Sequence, residues 1–114
     1  MKVYGIPNCD TVQKALTWLK SNQMDPGFHD YKKLGISEEK LKEWIDKVGW
    51  EILVNKKSTT WRALTPEEQA KVTTAADAIR LMQAHNSVIK RPVIEFGDKI
   101  TVGFNEKAYQ ESFL

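Results

Sequence analysis

Residues 4–16, YGIPNCDTVQKAL, join a predicted strand to a predicted helix and contain the only cysteine of the chain. Residues 2–6 are β-prone and alternate polar with apolar side chains, which is typical of a strand, and Pro7 breaks this pattern. Apolar residues then recur with helical spacing at Val12, Ala15, Leu16 and Leu19. The sequence therefore predicts that Cys9 lies where a strand ends and a helix begins.

This predicted helix has two candidate caps. Asn8 and Asp10 each have a side-chain oxygen that can accept a hydrogen bond from the first free N–H groups of the helix. Asp10 is followed three residues later by Gln13, and this pair resembles a capping box. We expect Asp10 to cap the helix. As a carboxylate next to Cys9, it should also weaken the stabilisation of a thiolate there.

Helices predominate in the middle of the chain. Residues 28–31 are predicted to be a second strand, after which Ser37 caps a helix that Gly49 ends. Thr65 begins another helix, because a proline follows it directly and a glutamate lies three residues further on. A third helix has its apolar face at Ala75, Ala78, Ile79 and Met82. Residues 53–64, LVNKKSTTWRAL, have no clear period and are predicted to be a loop.

The end of the chain returns to strands. Residues 93–96 and 99–102 are β-prone, and the Gly-Asp pair between them has the turn chemistry of a two-residue hairpin. Asn105 then caps a last short helix. The predicted element order is therefore β-α-β, a helical insertion at approximately residues 36–86, and β-β-α.

This order is that of an α/β protein with a thioredoxin-like (glutaredoxin-like) fold. We expect a mixed four-stranded sheet, with the helical insertion between strands 2 and 3. In this fold the proline before the third strand, here Pro92, is usually cis and faces the cysteine. No repeat, low-complexity tract or linker interrupts the chain, so residues 1–114 are predicted to form a single domain.

Composition argues against several classes of partner. Hydrophobic residues make up 41% of the 114 residues and charged residues 28%, which is ordinary for a globular protein. No apolar run approaches the roughly 20 residues of a membrane helix, and the first residues lack the apolar region of a secretory signal. We therefore expect a cytoplasmic protein without a membrane partner. The net charge of +2 comes from interleaved charges, so no nucleic-acid partner is expected.

The cysteine and histidine content limits the chemistry further. A single cysteine excludes a disulfide within the chain. His29 and His85 lack the spacing of metal ligands, so no metal site is predicted. No bound cofactor is expected.

Five stretches of the sequence resemble one known family. In chain order they are YGIPNCDTVQKAL, FHDYKKLGIS, NKKSTTWRALT, IKRPVIEF and VGFNEKAY. They follow the order of the family and are spread over nearly the whole chain. They resemble the glutaredoxin-like arsenate reductases and their Spx relatives (the ArsC/Spx family), and within this family the YffB-like branch. The resemblance implies a thioredoxin-like fold and a redox-active cysteine.

Cys9 is the predicted catalytic residue, acting as a nucleophile. A thiolate at a helix N-terminus meets unpaired N–H groups and the positive end of the helix dipole, and both lower the pKa of the thiol. Arg91 precedes Pro92 and, in the expected fold, projects toward the same place. Because the thiolate is the nucleophilic form, this placement activates Cys9.

Other residues are candidates for binding glutathione or an oxyanion. The resemblance carries Arg62 over as a second cation, and Lys14 can add positive charge from the first helix. Thr11 can direct its hydroxyl or its N–H to an oxyanion, and the cysteinyl backbone of glutathione can pair beside Pro92 as an added strand. Structural roles stay open for three of these residues: stacking on Trp61 for Arg62, solvation for Lys14 and helix capping for Thr11.

Three functions stay open at this point. The first is a glutathione-dependent thiol reductase, in which Cys9 attacks the disulfide of a small molecule or a protein. Val12 stands where a second cysteine would close an internal disulfide, so an external thiol must resolve the mixed disulfide. Glutathione is the expected thiol, and glutaredoxin is a second candidate partner. The second function is glutaredoxin-coupled arsenate reduction. The third is an Spx-like regulator that binds RNA polymerase.

The sequence differs at specific positions from the family members that have the second and third functions. The resemblance implies that arsenate reductases of the family carry an arginine where this chain has Gln13. It also implies another arginine just after the terminal hairpin, where residues 101–104 read TVGF. The redox form of the regulators uses Cys-x-x-Cys, whereas here Val12 follows three residues after Cys9. We therefore predict thiol reduction ahead of arsenate reduction, and arsenate reduction ahead of regulation.

Overall fold

A computed structural model of the protein describes all residues, Met1–Leu114. The chain forms two compact units. The first combines Met1–Leu34 with Arg91–Leu114, and the second consists of Gly35–Lys90. The predicted helical insertion, approximately residues 36–86, lies within the second unit. The organisation of residues 1–114 as a single domain stays a prediction.

The secondary structure follows the predicted order. The elements along the chain are β1 (Lys2–Gly5), α1 (Asp10–Ser21), β2 (Gly27–Asp30), α2 (Tyr31–Leu34), α3 (Glu38–Val48), α4 (Trp50–Leu53), α5 (Thr59–Ala63), α6 (Pro66–Ala70), α7 (Ala75–Ala84), a short 3-10 helix (Asn86–Val88), β3 (Val93–Phe96), β4 (Lys99–Val102) and α8 (Glu106–Phe113). None of the helices is both long and apolar enough to cross a membrane.

The four strands form one mixed sheet in the order β2-β1-β3-β4. β1 and β2 are parallel, with Gly5 opposite Asp30 at their carboxyl ends. β3 runs antiparallel to β1, with Tyr4 opposite Val93, and β4 pairs antiparallel with β3 through the predicted hairpin. The predicted mixed four-stranded sheet is thus confirmed. This topology brings the residues after β1, the residues after β2 and the residues before β3 to the same edge of the sheet.

The core of the first unit combines strand residues with residues from α1 and α8. Its buried members are Val3, Ala15, Leu19, Ile94, Tyr109 and Phe113. Val3 and Ile94 are register partners on β1 and β3. The α1 members belong to the apolar stripe that the sequence predicts. Tyr109 is buried, and its hydroxyl donates to the Gly103 carbonyl oxygen at 2.7 Å, so burial leaves its polar group satisfied.

The second unit is built from helices and a short backbone pairing. Its buried residues include Leu41, Trp44, Leu53, Ala78, Ile79 and Met82. Val54 forms an isolated antiparallel bridge with Ile89. Beside it, the Asn55 N–H donates to the Val88 carbonyl oxygen at 2.8 Å, and the Lys90 N–H donates to that of Leu53 at 2.7 Å. The C-terminal end of this unit, directly before Arg91, is therefore paired with the segment after α4.

The prediction of a loop over residues 53–64 is wrong in part. α4 continues to Leu53, and Thr59–Ala63 form the short helix α5. Ser58 caps α5, because its Oγ accepts a hydrogen bond from the Trp61 N–H at 3.1 Å, and the Trp61 side chain is buried. A helix of five residues is too short to show a period in the sequence, so the cap and one buried side chain define it instead.

The prediction that Asn8 or Asp10 caps α1 is also wrong. The N-cap position belongs to Cys9, with extended backbone angles (φ −107°, ψ 126°), and Asp10 is the first helical residue. The Gln13 N–H donates to the Cys9 carbonyl oxygen at 2.9 Å, which is the first bond of the helix. As an exposed carboxylate in the first turn, Asp10 still interacts favourably with the helix dipole.

Candidate active site

Cys9 lies at the N-cap of α1 and is half-buried, with a free thiol. Its side chain makes no capping hydrogen bond to the helix. Cysteine is unusual at this position, because the preferred caps are oxygen-bearing side chains that accept from the second or third helical N–H. The neutral thiol is a weak acceptor, whereas a thiolate is a charged one. The N–H groups of the first turn therefore stabilise Cys9 mainly after it loses its proton.

The surroundings of Cys9 lower the pKa of its thiol. Burial acts in the opposite direction and raises this pKa, but stabilising interactions outweigh it. These are the N–H of Val12, the guanidinium of Arg91, which acts both as a hydrogen-bond donor and as a positive charge, and the N–H of Thr11. The two N–H groups belong to the first turn of α1, as expected for a thiolate at a helix N-terminus.

Arg91 is placed by the strand order. It lies just before β3, which runs antiparallel to β1, so it lies near the end of β1 that leads to Cys9. The peptide bond between Arg91 and Pro92 is cis, as predicted. The Pro92 carbonyl oxygen accepts a hydrogen bond from the Gly103 N–H at 2.9 Å, which ties this bend to the residue after β4. The guanidinium of Arg91 donates to the sulfur of Cys9.

Gly5 allows the elements of the site to approach closely. It is buried at the end of β1. A Cβ at this position would lie 2.9 Å from Cγ2 of Val12 and 3.9 Å from Cβ of Pro92. The absence of a side chain therefore lets the first turn of α1 pack against the end of β1, with Pro92 nearby. This packing positions the Val12 N–H that stabilises the thiolate.

Gln13 connects the first helix to the loop that precedes Cys9. Its Nε2 donates to the Pro7 carbonyl oxygen at 2.6 Å. The bond spans the turn between β1 and α1, so it constrains the loop in which Cys9 lies. Gln13 stands at the position where the resemblance implies an arginine in arsenate reductases. Here its side chain contacts the protein backbone instead.

Tyr31 belongs to the site, and sequence analysis missed it. The sequence predicts Tyr31 to be the last residue of the second strand, but β2 ends at Asp30 and Tyr31 begins α2. Its side chain is fully buried, and its hydroxyl oxygen accepts a hydrogen bond from Arg91. Burial raises the pKa of Tyr31 well above its ordinary value, against the opposing effect of Arg91; the charge of Cys9 raises it further.

A signal for Tyr31 is present in the sequence. Parallel neighbouring strands have their carboxyl ends at one edge of a sheet, so a polar aromatic residue directly after strand 2 lies beside the residues that follow strand 1. Tyr31 also lies within one of the stretches that resemble the ArsC/Spx family. What the sequence does not show is its burial or its hydrogen bond to Arg91.

The remaining predicted site residues, Thr11, Lys14 and Arg62, do not all lie beside the Cys9 sulfur. The backbone N–H of Thr11 contributes to lowering the pKa of Cys9. Lys14 is exposed and lines an open groove of about 750 Å³ on the outer face of α1, together with Asp10, Gln13, Trp18 and Phe104. Arg62 is exposed on α5, in the second unit, and its role stays a prediction from the resemblance. No three His, Cys, Asp or Glu side chains are grouped as a metal site would require.

The arrangement supports nucleophilic chemistry at sulfur. Cys9 has a thiol of lowered pKa, which increases the fraction of thiolate at neutral pH. Arg91 offers a guanidinium next to the sulfur, where negative charge lies on the thiolate or on an anion bound to it. Because the chain has no second cysteine, a disulfide formed at Cys9 must be resolved by an external thiol.

Comparison with known proteins identifies relatives of the whole chain. The sequence pattern of the ArsC family matches residues 4–112. An uncharacterized protein of Haemophilus influenzae is 44% identical over 112 residues, which are 97% of this chain and 96% of the relative.

Two solved structures are similar in both sequence and fold. The first is a protein named YffB, with 42% identity and a TM-score of 0.93, over 99% of this chain and 98% of that one. The second is an arsenate reductase (ArsC) related protein from Brucella melitensis, with 43% identity and a TM-score of 0.77, over 98% and 92% of the two chains. The fold and the family pattern agree along nearly the entire sequence, and the chain belongs to the ArsC family.

Proposed function

We propose that the protein is a thiol oxidoreductase of the ArsC family that uses Cys9 as its nucleophile and glutathione as its reductant. The observation that carries this proposal is the thiol of lowered pKa at the start of α1, hydrogen-bonded by Arg91. That the chain contains one cysteine supports the dependence on an external thiol. Glutathione is abundant in the cytoplasm, where we also propose that the protein acts.

The proposed reaction has two thiol–disulfide exchanges. In the first, the Cys9 thiolate attacks the glutathione sulfur of a glutathionylated substrate, forms a Cys9–glutathione disulfide and releases the substrate thiolate, which takes a proton from water. In the second, the thiolate of a free glutathione attacks the glutathione sulfur of that mixed disulfide, which yields oxidised glutathione and restores the Cys9 thiolate. Overall, one glutathionylated substrate and one free glutathione give one substrate thiol and one oxidised glutathione, so the reduction of the substrate sulfur is matched by the oxidation of the sulfur of the free glutathione.

Arg91 has a consistent role in both steps. Its guanidinium stabilises the Cys9 thiolate before the first attack and again when this thiolate leaves in the second. Glutathione carries two carboxylates, and Lys14 is an exposed cation on the same helix as the Cys9 N-cap. We propose that Lys14 contributes charge attraction to glutathione, whereas the backbone beside Pro92 pairs with its cysteinyl unit.

Arsenate reduction is the second candidate function. It is favoured by the Brucella melitensis relative, whose name refers to arsenate reductase, and by the guanidinium of Arg91 beside the nucleophile. Attack of Cys9 on arsenate would form a thiolate–arsenate adduct, whose tetrahedral oxyanion requires several fixed cationic donors. Gln13, bonded to the Pro7 carbonyl oxygen, adds no charge to the site. We therefore rank arsenate below glutathionylated thiols.

An Spx-like regulator that binds RNA polymerase is the third candidate. A redox switch of the Cys-x-x-Cys type would need a second thiol at the position of Val12. Val12 is fully buried and its side chain packs against Gly5. A regulator of this kind would therefore act without that switch, and this argues for the enzymatic proposals.

Mass spectrometry after incubation with oxidised glutathione tests the proposal. We expect one glutathione per chain, attached at Cys9, and release of the adduct when reduced glutathione is added. Cys9→Ser, as the control, should take up none. An unmodified wild-type protein would contradict the reductase proposal and leave the regulator as the stronger candidate.

Parallel assays on one preparation separate the two enzymatic candidates. A glutathionylated peptide serves as one substrate, and arsenate with reduced glutathione and a glutaredoxin serves as the other. We expect measurable deglutathionylation and weak or absent arsenate reduction. Arsenate turnover that clearly exceeds deglutathionylation, and that is lost in Arg91→Ala, would reverse this order.

A further inference from the structure

We infer that Tyr31 is a positioning residue of the candidate active site, which holds the guanidinium of Arg91 in its orientation toward the sulfur of Cys9. The inference rests on the proposed role of Cys9 as the nucleophile. It goes beyond that role by assigning the orientation of Arg91 to a buried side chain from another element. Tyr31 acts through Arg91 and is not assigned any contact with substrate.

The position of Tyr31 follows from the sheet and from a local turn. Gly5 and Asp30 are opposite each other at the carboxyl ends of β1 and β2, so the residues that follow them lie at one edge of the sheet. Oδ1 of Asp30 accepts hydrogen bonds from the N–H groups of Lys32 and Lys33, at 3.0 and 3.2 Å. These bonds begin α2 directly after β2. The backbone of Tyr31 is thereby held between a strand and a capped turn.

The guanidinium of Arg91 can donate hydrogen bonds to Tyr31 and Cys9 at the same time. A guanidinium has five N–H donors in a rigid plane, and fixing one of its contacts also fixes the direction of the others. Arg91 donates to the Tyr31 hydroxyl oxygen and to the Cys9 sulfur. A long arginine side chain with a single partner has more rotational freedom. The hydroxyl oxygen of Tyr31 therefore reduces the number of orientations in which Arg91 misses the thiolate.

The ionisation state of Tyr31 suits this role. Because burial keeps the pKa of Tyr31 above its ordinary value, the hydroxyl stays neutral at the pH at which Cys9 titrates. A neutral acceptor holds the guanidinium without competing with the thiolate for its positive charge. The charged groups that act on Tyr31 are Arg91, Cys9 and Asp30, and the first two are the pair whose geometry it sets.

The experiment measures the rate of Cys9 alkylation by iodoacetamide as a function of pH. Tyr31→Phe removes the hydroxyl and keeps the ring, so the packing is largely conserved. We expect the midpoint of the alkylation profile to rise and the rate at pH 7 to fall about three- to tenfold, the size expected for the net loss of one typical hydrogen bond. Iodoacetamide reports the thiolate without any physiological substrate.

Tyr109→Phe is the matched control. Tyr109 is also buried in the first unit, and its hydroxyl donates to the Gly103 carbonyl oxygen rather than contacting Arg91. We expect Tyr109→Phe to change thermal stability as Tyr31→Phe does, while leaving the alkylation profile at its wild-type midpoint. An equal shift of the midpoint in both variants would show a general effect of lost stability and would overturn the inference.

A double-mutant cycle tests whether Tyr31 acts through Arg91. In the Arg91→Ala background, Tyr31→Phe should produce no further shift of the midpoint. An additional shift as large as in the wild-type background would overturn the inference, because Tyr31 would then act on Cys9 independently. An unchanged midpoint in Tyr31→Phe alone would also overturn it.

The wild-type midpoint distinguishes a failure of the proposed function from a failure of the role of Tyr31. A wild-type midpoint at or above about 8.5, the value of a free thiol, would contradict the activation of Cys9 and hence the proposed function itself. A low wild-type midpoint that Tyr31→Phe does not change would contradict only the role of Tyr31.

If Tyr31→Phe does not fold, NMR spectroscopy of the wild-type protein replaces the alkylation experiment. Separate, slowly exchanging N–H signals of the Arg91 guanidinium at neutral pH support the inference, and one averaged signal overturns it.

Discussion

The helices α1 and α6 begin in opposite ways. At α6, Oγ1 of Thr65 accepts a hydrogen bond from the Glu68 N–H at 3.1 Å, and Oε1 of Glu68 accepts one from the Thr65 N–H at 2.9 Å. The N–H groups of Thr65 and Glu68 at the start of this helix are thus satisfied by side-chain oxygen. At α1 the N-cap is Cys9, which makes no side-chain cap bond. Its first-turn N–H groups instead stabilise a sulfur that has lost its proton.

At both helix starts, backbone N–H groups stabilise the negatively charged form of a side chain, with different consequences. The backbone N–H of Thr65 lowers the pKa of Glu68 in α6, and the backbone N–H groups of Val12 and Thr11 contribute to lowering the pKa of Cys9 in α1. For Glu68 the result is a carboxylate that would be ionised at neutral pH in any case, so the helix gains a fixed start. For Cys9 the shift raises the fraction of thiolate, the reactive form of a thiol. The helix N-terminus therefore fixes the backbone in α6 and favours the thiolate in α1.

Cys9→Ser makes the start of α1 resemble that of the other helices, and it should have the largest effect. We expect thiol reductase activity to fall to background, because a serine hydroxyl is not ionised at neutral pH. The fold should be retained, with a gain in stability of up to about 1 kcal/mol, since serine is a preferred N-cap. Turnover and thermal unfolding measure the two effects. Retained turnover would place the nucleophile elsewhere, and a large loss of stability would mean that Cys9 is a packing residue.

Arg91→Ala removes the side-chain donor that acts on the Cys9 sulfur together with the N–H groups of α1. The pKa of Cys9 should rise, because the thiolate loses a hydrogen-bond donor and a neighbouring positive charge. Below this pKa the alkylation rate follows the thiolate fraction, so the rate at pH 7 should fall, by about tenfold for the loss of one hydrogen bond to a charged group.

Iodoacetamide alkylation from pH 5 to 10 measures this shift. The wild type and Arg91→Ala should differ most at low pH and converge once both thiols are ionised. Arg91→Lys, which keeps the charge but not the guanidinium, should lie between the two. Identical profiles would mean that the N–H groups of α1 alone activate Cys9.

Gly5→Ala tests the close approach that places the first turn of α1. The new Cβ would lie 2.9 Å from Cγ2 of Val12, a stiff β-branched side chain that cannot move away easily. We expect a loss of stability of about 1–3 kcal/mol, measured by urea unfolding. Gly27→Ala is the control on β2, because its Cβ would meet only Cγ of Lys2, at 4.0 Å. Equal stability of the two variants would contradict this account of the packing at Gly5.

Thr65→Ala opens the capping box of α6 and should have the smallest effect. We expect a loss of about 1 kcal/mol in the free energy of unfolding, since the Glu68 N–H loses its acceptor. The alkylation profile of Cys9 should not change. A shift of that profile would show that α6 influences the site, which the contrast between the two helix starts does not predict.

Much of the fold was predictable because it rests on local signals. The hairpin between β3 and β4, the caps at Ser37, Thr65 and Asn105, and the end of α3 at Gly49 are confirmed. Each of these depends on a few neighbouring residues whose side chains bond to nearby backbone or whose φ angle must be positive, as for Gly49 at 86°. The short helix α5 was missed because five residues carry no readable period.

The sequence by itself determined which residue is the candidate nucleophile, since the chain has a single cysteine and that cysteine lies between a strand pattern and a helix pattern. It also determined that no internal disulfide can form. Only the tertiary structure decided that Cys9 rather than Asp10 is the N-cap of α1, and that Tyr31 holds a place beside Arg91. The start of α1 depends on how its first turn packs against the end of β1 at Gly5, and the place of Tyr31 depends on how the ends of β1, β2 and β3 meet at one sheet edge. Contacts of this kind join residues far apart in the chain, which no local pattern specifies.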